Sequence, residues 1–186
     1  MSLSILFIRH FHLIRQCRKP ISACNNRFKQ AHAANKPVWL RIRDVRQLEP
    51  ALQAEADIIY LGGELMSNRT LLNEVGCLNI PVVLCKDKHH QVDEWLIAAE
   101  HIALKGNHHL MLGEAGTLSL ERNAPYRLDV EAIVKARQIT HLPIVANISR
   151  LARPIWTVQH LCNWHKLQVL ILSYINWTIS PKSIIL

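Results

Sequence analysis

The stretch IPVVLCKDKHHQVDEWLIAAEHIALKGNHHLMLGEAG, residues 80–116, decides the fold. Pro81-Val82-Val83-Leu84-Cys85 is a short apolar run rich in β-branched residues and opened by a proline, which reads as a buried strand. Lys86 to Gln91 is polar, as a strand-to-helix loop should be. From Val92 the period changes. Trp95, Leu96, Ala99, Ile102 and Ala103 share one helical face, whereas Asp93, Glu94, Glu100 and Lys105 lie mostly off it. Acids in the first turn and Lys105 in the last suit the helix dipole, and Gly106-Asn107 supplies the stop. His109 to Leu112 reads as the next strand, closing on Gly113-Glu114-Ala115-Gly116. Strand, loop, amphipathic helix and strand make a parallel βαβ unit with a right-handed crossover.

The same rhythm extends in both directions. Val38 to Ile42 reads as a strand, followed by a helix over 44–56 with Val45, Leu48, Leu52 and Ala56 on one side and early turns disturbed by Pro50. Asp57 to Leu61 is the next strand, ending at Gly62-Gly63-Glu64, and Arg69 to Val75 is a helix stopped by Gly76. Beyond the central unit come a long loop over 117–127, a helix over 130–139, a strand at Pro143 to Ala146 and a further strand at Leu167 to Tyr174. Strands starting near 38, 57, 81, 109, 143 and 167 make an α/β chain, either an arc of a (β/α) barrel or a doubly wound sheet. No GxGxxG or GxxxxGK[ST] follows a strand, so a Rossmann or P-loop nucleotide site has no support.

Charge sets the two ends apart. The net charge of +8 divides into +9 over residues 1–46, −5 over 47–149 and +4 over 150–186, the last block having no acid. With 49% apolar and 19% charged residues the chain is suited to a packed core rather than disorder. Five cysteines form no CxxC pair and are expected to be reduced thiols of a cytoplasmic protein. No apolar run approaches the roughly 20 residues of a membrane helix. Residues 1–36 are expected to form a short basic amphipathic helix, with a targeting or membrane-surface segment as the alternative. Only Phe7, Phe11 and Phe28 offer stacking rings there, and no known nucleic-acid signature appears, so no specific nucleic-acid partner is expected.

A site in such a fold lies at the carboxyl ends of the strands, which directs attention to Gly62–Glu64, Cys85–Lys88, Gly113–Gly116 and Asn147–Arg150. Lys86 and Lys88 suit a phosphate or carboxylate, and a desolvated Lys86 suits a Schiff base; a solvated loop lysine is the plainer reading. Glu114 stands between small residues that let a ligand approach, and a carboxylate there can act as acid, base or lysine partner. His89-His90 and His108-His109 are metal ligands by count alone, because neighbours on a strand point to opposite faces. Cys85 reads as a buried thiol.

The phrases RDVRQLEPALQAEADIIYLGG, LLNEVGCLNIPVVL, VDEWLIAAEHIALKGN and LDVEAIVKARQITHLPIV resemble the 3-deoxy-7-phosphoheptulonate (DAHP) synthase family, in the single-domain bacterial branch related to 3-deoxy-8-phosphooctulonate synthase. The likeness covers about residues 36–153. The phrase around Thr140 to Pro143 and the loop before Leu128 favour the DAHP side. It implies a TIM-type barrel that condenses phosphoenolpyruvate with erythrose 4-phosphate, using a divalent metal, in the shikimate route to aromatic amino acids. The family's arginine after the strand-four Gly-Ala is here Glu64. Its Lys-Arg-Gly falls on Cys85-Lys86-Asp87, and its Cys-Glu-Arg-Gly on Gly113-Glu114-Ala115-Gly116, which keeps the glutamate and loses the arginine. Its metal-binding Asp-Pro-Ser-His falls on Asn147-Ile148-Ser149-Arg150. The first two strands, with a cysteine metal ligand and a Lys-Pro-Arg motif, have no counterpart, and Ser173 stands where a last glutamate ligand is implied.

These readings lead to a partial (β/α) barrel of about strands three to eight over residues 37–153, flanked by a basic segment 1–36 and a divergent segment 154–186. Strand-end position and the resemblance together assign Glu114 and Lys86 to catalysis and Gly62, Gly63, Lys88, Asn147 and Arg150 to substrate binding. No metal ligand set is retained, so no cofactor is expected and synthase activity should be negligible. Weak binding of phosphoenolpyruvate or another anionic small molecule is expected, as is self-association through open barrel edges. The alternatives are a non-catalytic binding or regulatory protein using its basic ends, or a residual phospho-sugar or keto-acid enzyme. The abrupt change after Arg153 suits a shifted reading frame.

Overall fold

A computed structural model describes residues 5–7, 25–35, 37–120 and 126–147. The chain forms two compact units, one of residues His10–Leu112 and one of Met1–Arg9 together with Gly113–Leu186. The expected sixth strand over 167–174, the tail after Arg153 and Arg150 itself lie outside the described residues.

In the unit His10–Leu112, helix α1 (Asn25–Ala33) precedes β2 (Trp39–Ile42), β3 (Ile58–Leu61) and β4 (Val82–Cys85). The three strands pair in parallel, with Trp39 opposite Ile58, Arg41 opposite Tyr60, Ile59 opposite Val82 and Leu61 opposite Leu84. All four residues of β4 are buried, the continuous apolar run of a strand covered on both faces. β5 (Leu110–Glu114) follows β4 in the sheet, the Val82 N–H donating to the His109 carbonyl at 2.8 Å. Each of the five strands read from 38 to 146 starts one residue after its expected start, because the first residue of each run still belongs to the approaching loop.

The helices of this unit are fixed by identifiable contacts. α3 (Arg69–Gly76) is capped by Asn68, whose side chain accepts from the Leu71 N–H. α4 (Val92–Ala103) opens on a capping box formed by Gln91 and Glu94. Trp95, wholly buried, donates its indole N–H to the Leu84 carbonyl at 2.9 Å and so ties α4 to β4. Gly106 at φ 109° ends the turn after α4. The buried Asn107 then donates to the carbonyls of Val75 and Ile80 and accepts from the His109 N–H. The inner face of α4 is Val92, Trp95, Ala98, Ala99 and Ile102, with Leu96 and Ala103 half-buried.

Three expectations for this unit need correction. The helix read over 44–56 is a 3₁₀ turn, Val45–Gln47, leading into α2 (Leu48–Gln53). A 3₁₀ residue turns about 120° rather than about 100°, so three of them advance the face by roughly 60°. Ala51 is therefore buried with Leu48, while Leu52 is exposed. Pro50 falls in the first turn of α2, where no intrahelical N–H is required. His108 and His109 precede β5 rather than lie on it, and both are exposed.

In the second unit, the closing residues of β5 lie beside β8 (Ile144–Ala146), which pairs in parallel with β1 (Ile5–Phe7). This overturns the reading of Ile5–Phe7 as part of a basic helix. Three residues are too few for a helical repeat, and the main chain gains a ladder against Ile144–Ala146 instead. The stretch read as a loop over 117–127 contains an antiparallel pair, β6 (Thr117–Leu118) with β7 (Tyr126–Arg127). α5 (Val130–Ile139) has Asp129 as its cap, accepting from the Ala132 N–H at 3.0 Å. Both units are built of parallel strands and helices, the α/β class expected.

Candidate functional site

The carboxyl ends of β2, β3 and β4 lie side by side in the unit His10–Leu112, and the expected residues Gly62, Gly63, Lys86 and Lys88 are found there. Arg41, placed on β2 in register with Tyr60, shares its face and holds its guanidinium 6.0 Å from that ring. Its Nη2 meets Glu64 Oε1 at 2.5 Å, with 16% of the Arg41 side chain and 50% of the Glu64 side chain exposed. Burial alone would raise the Glu64 carboxyl. Its own backbone N–H, the charge and hydrogen bond of Arg41, and the charge of Arg43 outweigh that and hold it below its ordinary value.

The two glycines make room for this arrangement. A Cβ on Gly62 would lie 2.6 Å from the Arg41 guanidinium, and one on Gly63 would lie 2.5 Å from the Lys86 carbonyl oxygen and 2.6 Å from Asp87 Cα. The space each glycine leaves is filled by the protein's own atoms. In the β4–α4 loop, Lys86 is buried and its ammonium donates to the carbonyls of Asp87 and His90 at 3.3 and 3.1 Å. Lys88 is exposed. Asp87 Oδ2 lies 3.0 Å from His90 Nδ1, and His90 Nε2 lies 3.2 Å from Ser67 Oγ in the loop before α3. Burial pushes the Asp87 carboxyl up, but the His90 hydrogen bond, the Lys88 amide and the charges of His90 and His89 bring it below the ordinary range.

Glu114 and Asn147 belong to the second unit and are adjacent there. Glu114 is 2% exposed; one carboxylate oxygen accepts from the Gly116 N–H at 2.7 Å and, weakly, from the Asp129 N–H at 3.4 Å. The Asn147 N–H donates to the Glu114 carbonyl at 2.7 Å. Gly116 reaches its position at φ 98°, open to glycine at little cost. This carboxylate is thus bound to the backbone of the turn that follows it. Cys85 is a fully buried thiol in no disulfide, the buried thiol expected.

Several residues of these strand ends escape a reading by pattern. Arg41 is a cation within an apolar strand, and that oddity was its one available signal. The Asp87–His90 pair is legible as an i, i+3 spacing, but its link to Ser67 spans 23 residues and needs the fold.

The DAHP synthetase I family matches residues 23–152. Phospho-2-dehydro-3-deoxyheptonate aldolase of Thermotoga maritima is 35% identical over 100 residues, covering 54% of this chain. The chain spans only 30% of that relative's length. A crystal structure of the DAHP synthase of Thermotoga maritima superposes with a TM-score of 0.68 at 22% identity, covering 80% of this chain and 52% of that one. A truncated form of 3-deoxy-D-arabino-heptulosonate 7-phosphate synthase from the same organism gives 0.64 at 26% identity, covering 79% and 53%. The similarity thus bears out the expected kinship and the partial barrel. A divalent metal is implied by that kinship. Among the described residues no three His, Cys, Asp or Glu side chains converge as ligands, so these residues do not fit the ion. No helix among them is long and apolar enough to cross a membrane.

Proposed function

The chain belongs to the DAHP synthetase I family, and from that membership we propose that it is part of a barrel for condensing phosphoenolpyruvate with erythrose 4-phosphate, retaining weak anion binding but not turnover. The observation that carries this reading is the Arg41–Glu64 pair. At Glu64 the family resemblance places an arginine that faces an anion; here a carboxylate stands, and the Arg41 guanidinium is engaged by it. A charge-assisted hydrogen bond contributes about 1.5–3 kcal/mol, so each lost contact lowers affinity by roughly tenfold or more. Lys86 adds to the deficit, since its ammonium must leave two carbonyl acceptors before it can hold a phosphate. Glu114 keeps the family's glutamate, but one of its oxygens is occupied by backbone amides.

The test is calorimetric titration with phosphoenolpyruvate, with and without manganese, alongside a turnover assay with erythrose 4-phosphate. We expect binding no tighter than about millimolar, some 4 kcal/mol, and no condensation. Tighter binding or measurable turnover overturns the proposal. Self-association belongs to the same reading: among the described residues β2 pairs only with β3 and presents its other edge. Sedimentation at increasing concentration should show species heavier than the 21.3 kDa chain. A cytoplasmic location is supported by the reduced thiols of Cys77 and Cys85, which are in no disulfide, and by the family.

A further inference from the structure

Three side chains from two loops of the unit His10–Leu112 form a continuous hydrogen-bonded line. His90 stands in the middle, with Nδ1 3.0 Å from Asp87 Oδ2 and Nε2 3.2 Å from Ser67 Oγ. An ionised carboxylate only accepts, so Asp87 requires the proton on Nδ1, which leaves the Nε2 lone pair facing the hydroxyl. That is the arrangement a serine needs to act as a nucleophile: a base in reach of its proton, and a third group fixing the base's tautomer. Exposure runs in the matching order. Ser67 is exposed, the His90 side chain is 31% exposed and Asp87 20%. The loop bearing Asp87 and His90 is held by the Lys86 ammonium, which bonds the carbonyls of both residues, and by the close approach of Gly63 to Lys86 and Asp87. The depressed Asp87 carboxyl agrees with its being the ionised end of the line.

We propose that Ser67, His90 and Asp87 form an acyl-transfer site distinct from the family's condensation chemistry, in which Ser67 is acylated by small activated carboxylic esters. His90 Nε2 takes the Ser67 hydroxyl proton as Oγ bonds to the ester carbonyl carbon. The carbon–oxygen bond to the leaving group then breaks, and the departing alkoxide or phenolate carries the electron pair and receives the proton from His90. Water, giving a proton to His90, later adds to the acyl carbon; the bond to Ser67 Oγ breaks, that oxygen takes the proton back from His90, and the free acid leaves. Asp87 is a positioning residue. The amides of Asn68 and Arg69, next along the chain, are already bonded to the carbonyls of Leu65 and Ser67. They offer no ready oxyanion hole, so deacylation is slow and the acyl-serine accumulates.

The full chain is treated with p-nitrophenyl acetate, nitrophenolate release is followed, and the acetylated residue is located by peptide mass spectrometry. We expect a burst of nitrophenolate with acetyl on Ser67, abolished in Ser67→Ala, an exposed position where the fold is unaffected. General-base assistance contributes on the order of 10²–10⁴-fold, so His90→Gln should slow the burst by at least a hundredfold. His90→Gly should regain part of it with added imidazole. Asp87→Asn should slow it, and Asp87→Glu should restore part of the loss, which a purely structural tether would not do. Acetyl placed on Lys88, His89 or another residue in preference to Ser67 overturns the proposal. So does an unchanged burst in a folded His90→Gln variant, with folding checked by circular dichroism.

Discussion

The backbone at Gly63 packs directly against the carbonyl of Lys86, so closely that a Cβ on Gly63 would stand 2.5 Å from that oxygen. The contact joins the end of β3 to the end of β4 and sets the height of the loop that carries Lys86, Asp87 and His90. The obstructing atoms are main-chain atoms on a buried segment, which cannot swing aside like the tip of a side chain. Gly63→Ala should therefore cost about 1–3 kcal/mol, the range for overpacking, read as a lower urea midpoint at unchanged slope. Gly106→Ala provides the contrast. Nothing lies within 4 Å of its added Cβ, but φ is 109°, so it should lose about 1 kcal/mol from backbone strain alone.

Trp95 combines a fully buried ring with one directed hydrogen bond to the Leu84 carbonyl. Trp95→Phe keeps most of the ring and loses the bond, for an expected cost of about 1 kcal/mol plus the unfilled volume. Trp95→Ala should cost about 3–5 kcal/mol. Equal losses in the two variants would show that the hydrogen bond, not packing, dominates at this position.

Asn107 satisfies two carbonyls and one amide at the junction of α3, β4 and β5. Asn107→Asp preserves shape but turns the two-donor nitrogen into an acceptor facing the carbonyls of Val75 and Ile80. We expect it to destabilise more than Asn107→Ala, which leaves unsatisfied groups at about 1–3 kcal/mol each. Thermal unfolding of both variants gives the ranking, and the reverse order would reject this account.

Glu64 links stability to pH. Its carboxyl lies below its ordinary value of 4.5 in the folded protein, so its contribution is complete above that value and is lost as pH falls through the lower folded one. Because half the side chain is open to solvent, screening keeps the effect below about 1 kcal/mol. The melting temperature of the wild type should exceed that of Glu64→Gln at pH 7, and the gap should close as pH falls below 4.5. A gap that stays constant with pH would mean the ion pair is not its source.

The succession of strands and helices was legible from residue order alone. Runs such as Val82 to Cys85 are apolar at every position, and the stretch from Val92 to Ala103 repeats at helical spacing. These are local properties that survive any arrangement of neighbours. The family likeness was legible for the same reason, since its matching phrases are mostly scaffold. The site, by contrast, exists only once the chain is folded. Whether Arg41 meets Glu64, and whether His90 bridges Asp87 and Ser67, depends on contacts across some 23 residues of chain. Strand register and loop height set those distances, and no pattern of neighbouring residues encodes them. The strand at Ile5–Phe7 was hidden in the same way: three residues carry no period, and their conformation follows from the ladder offered by Ile144–Ala146.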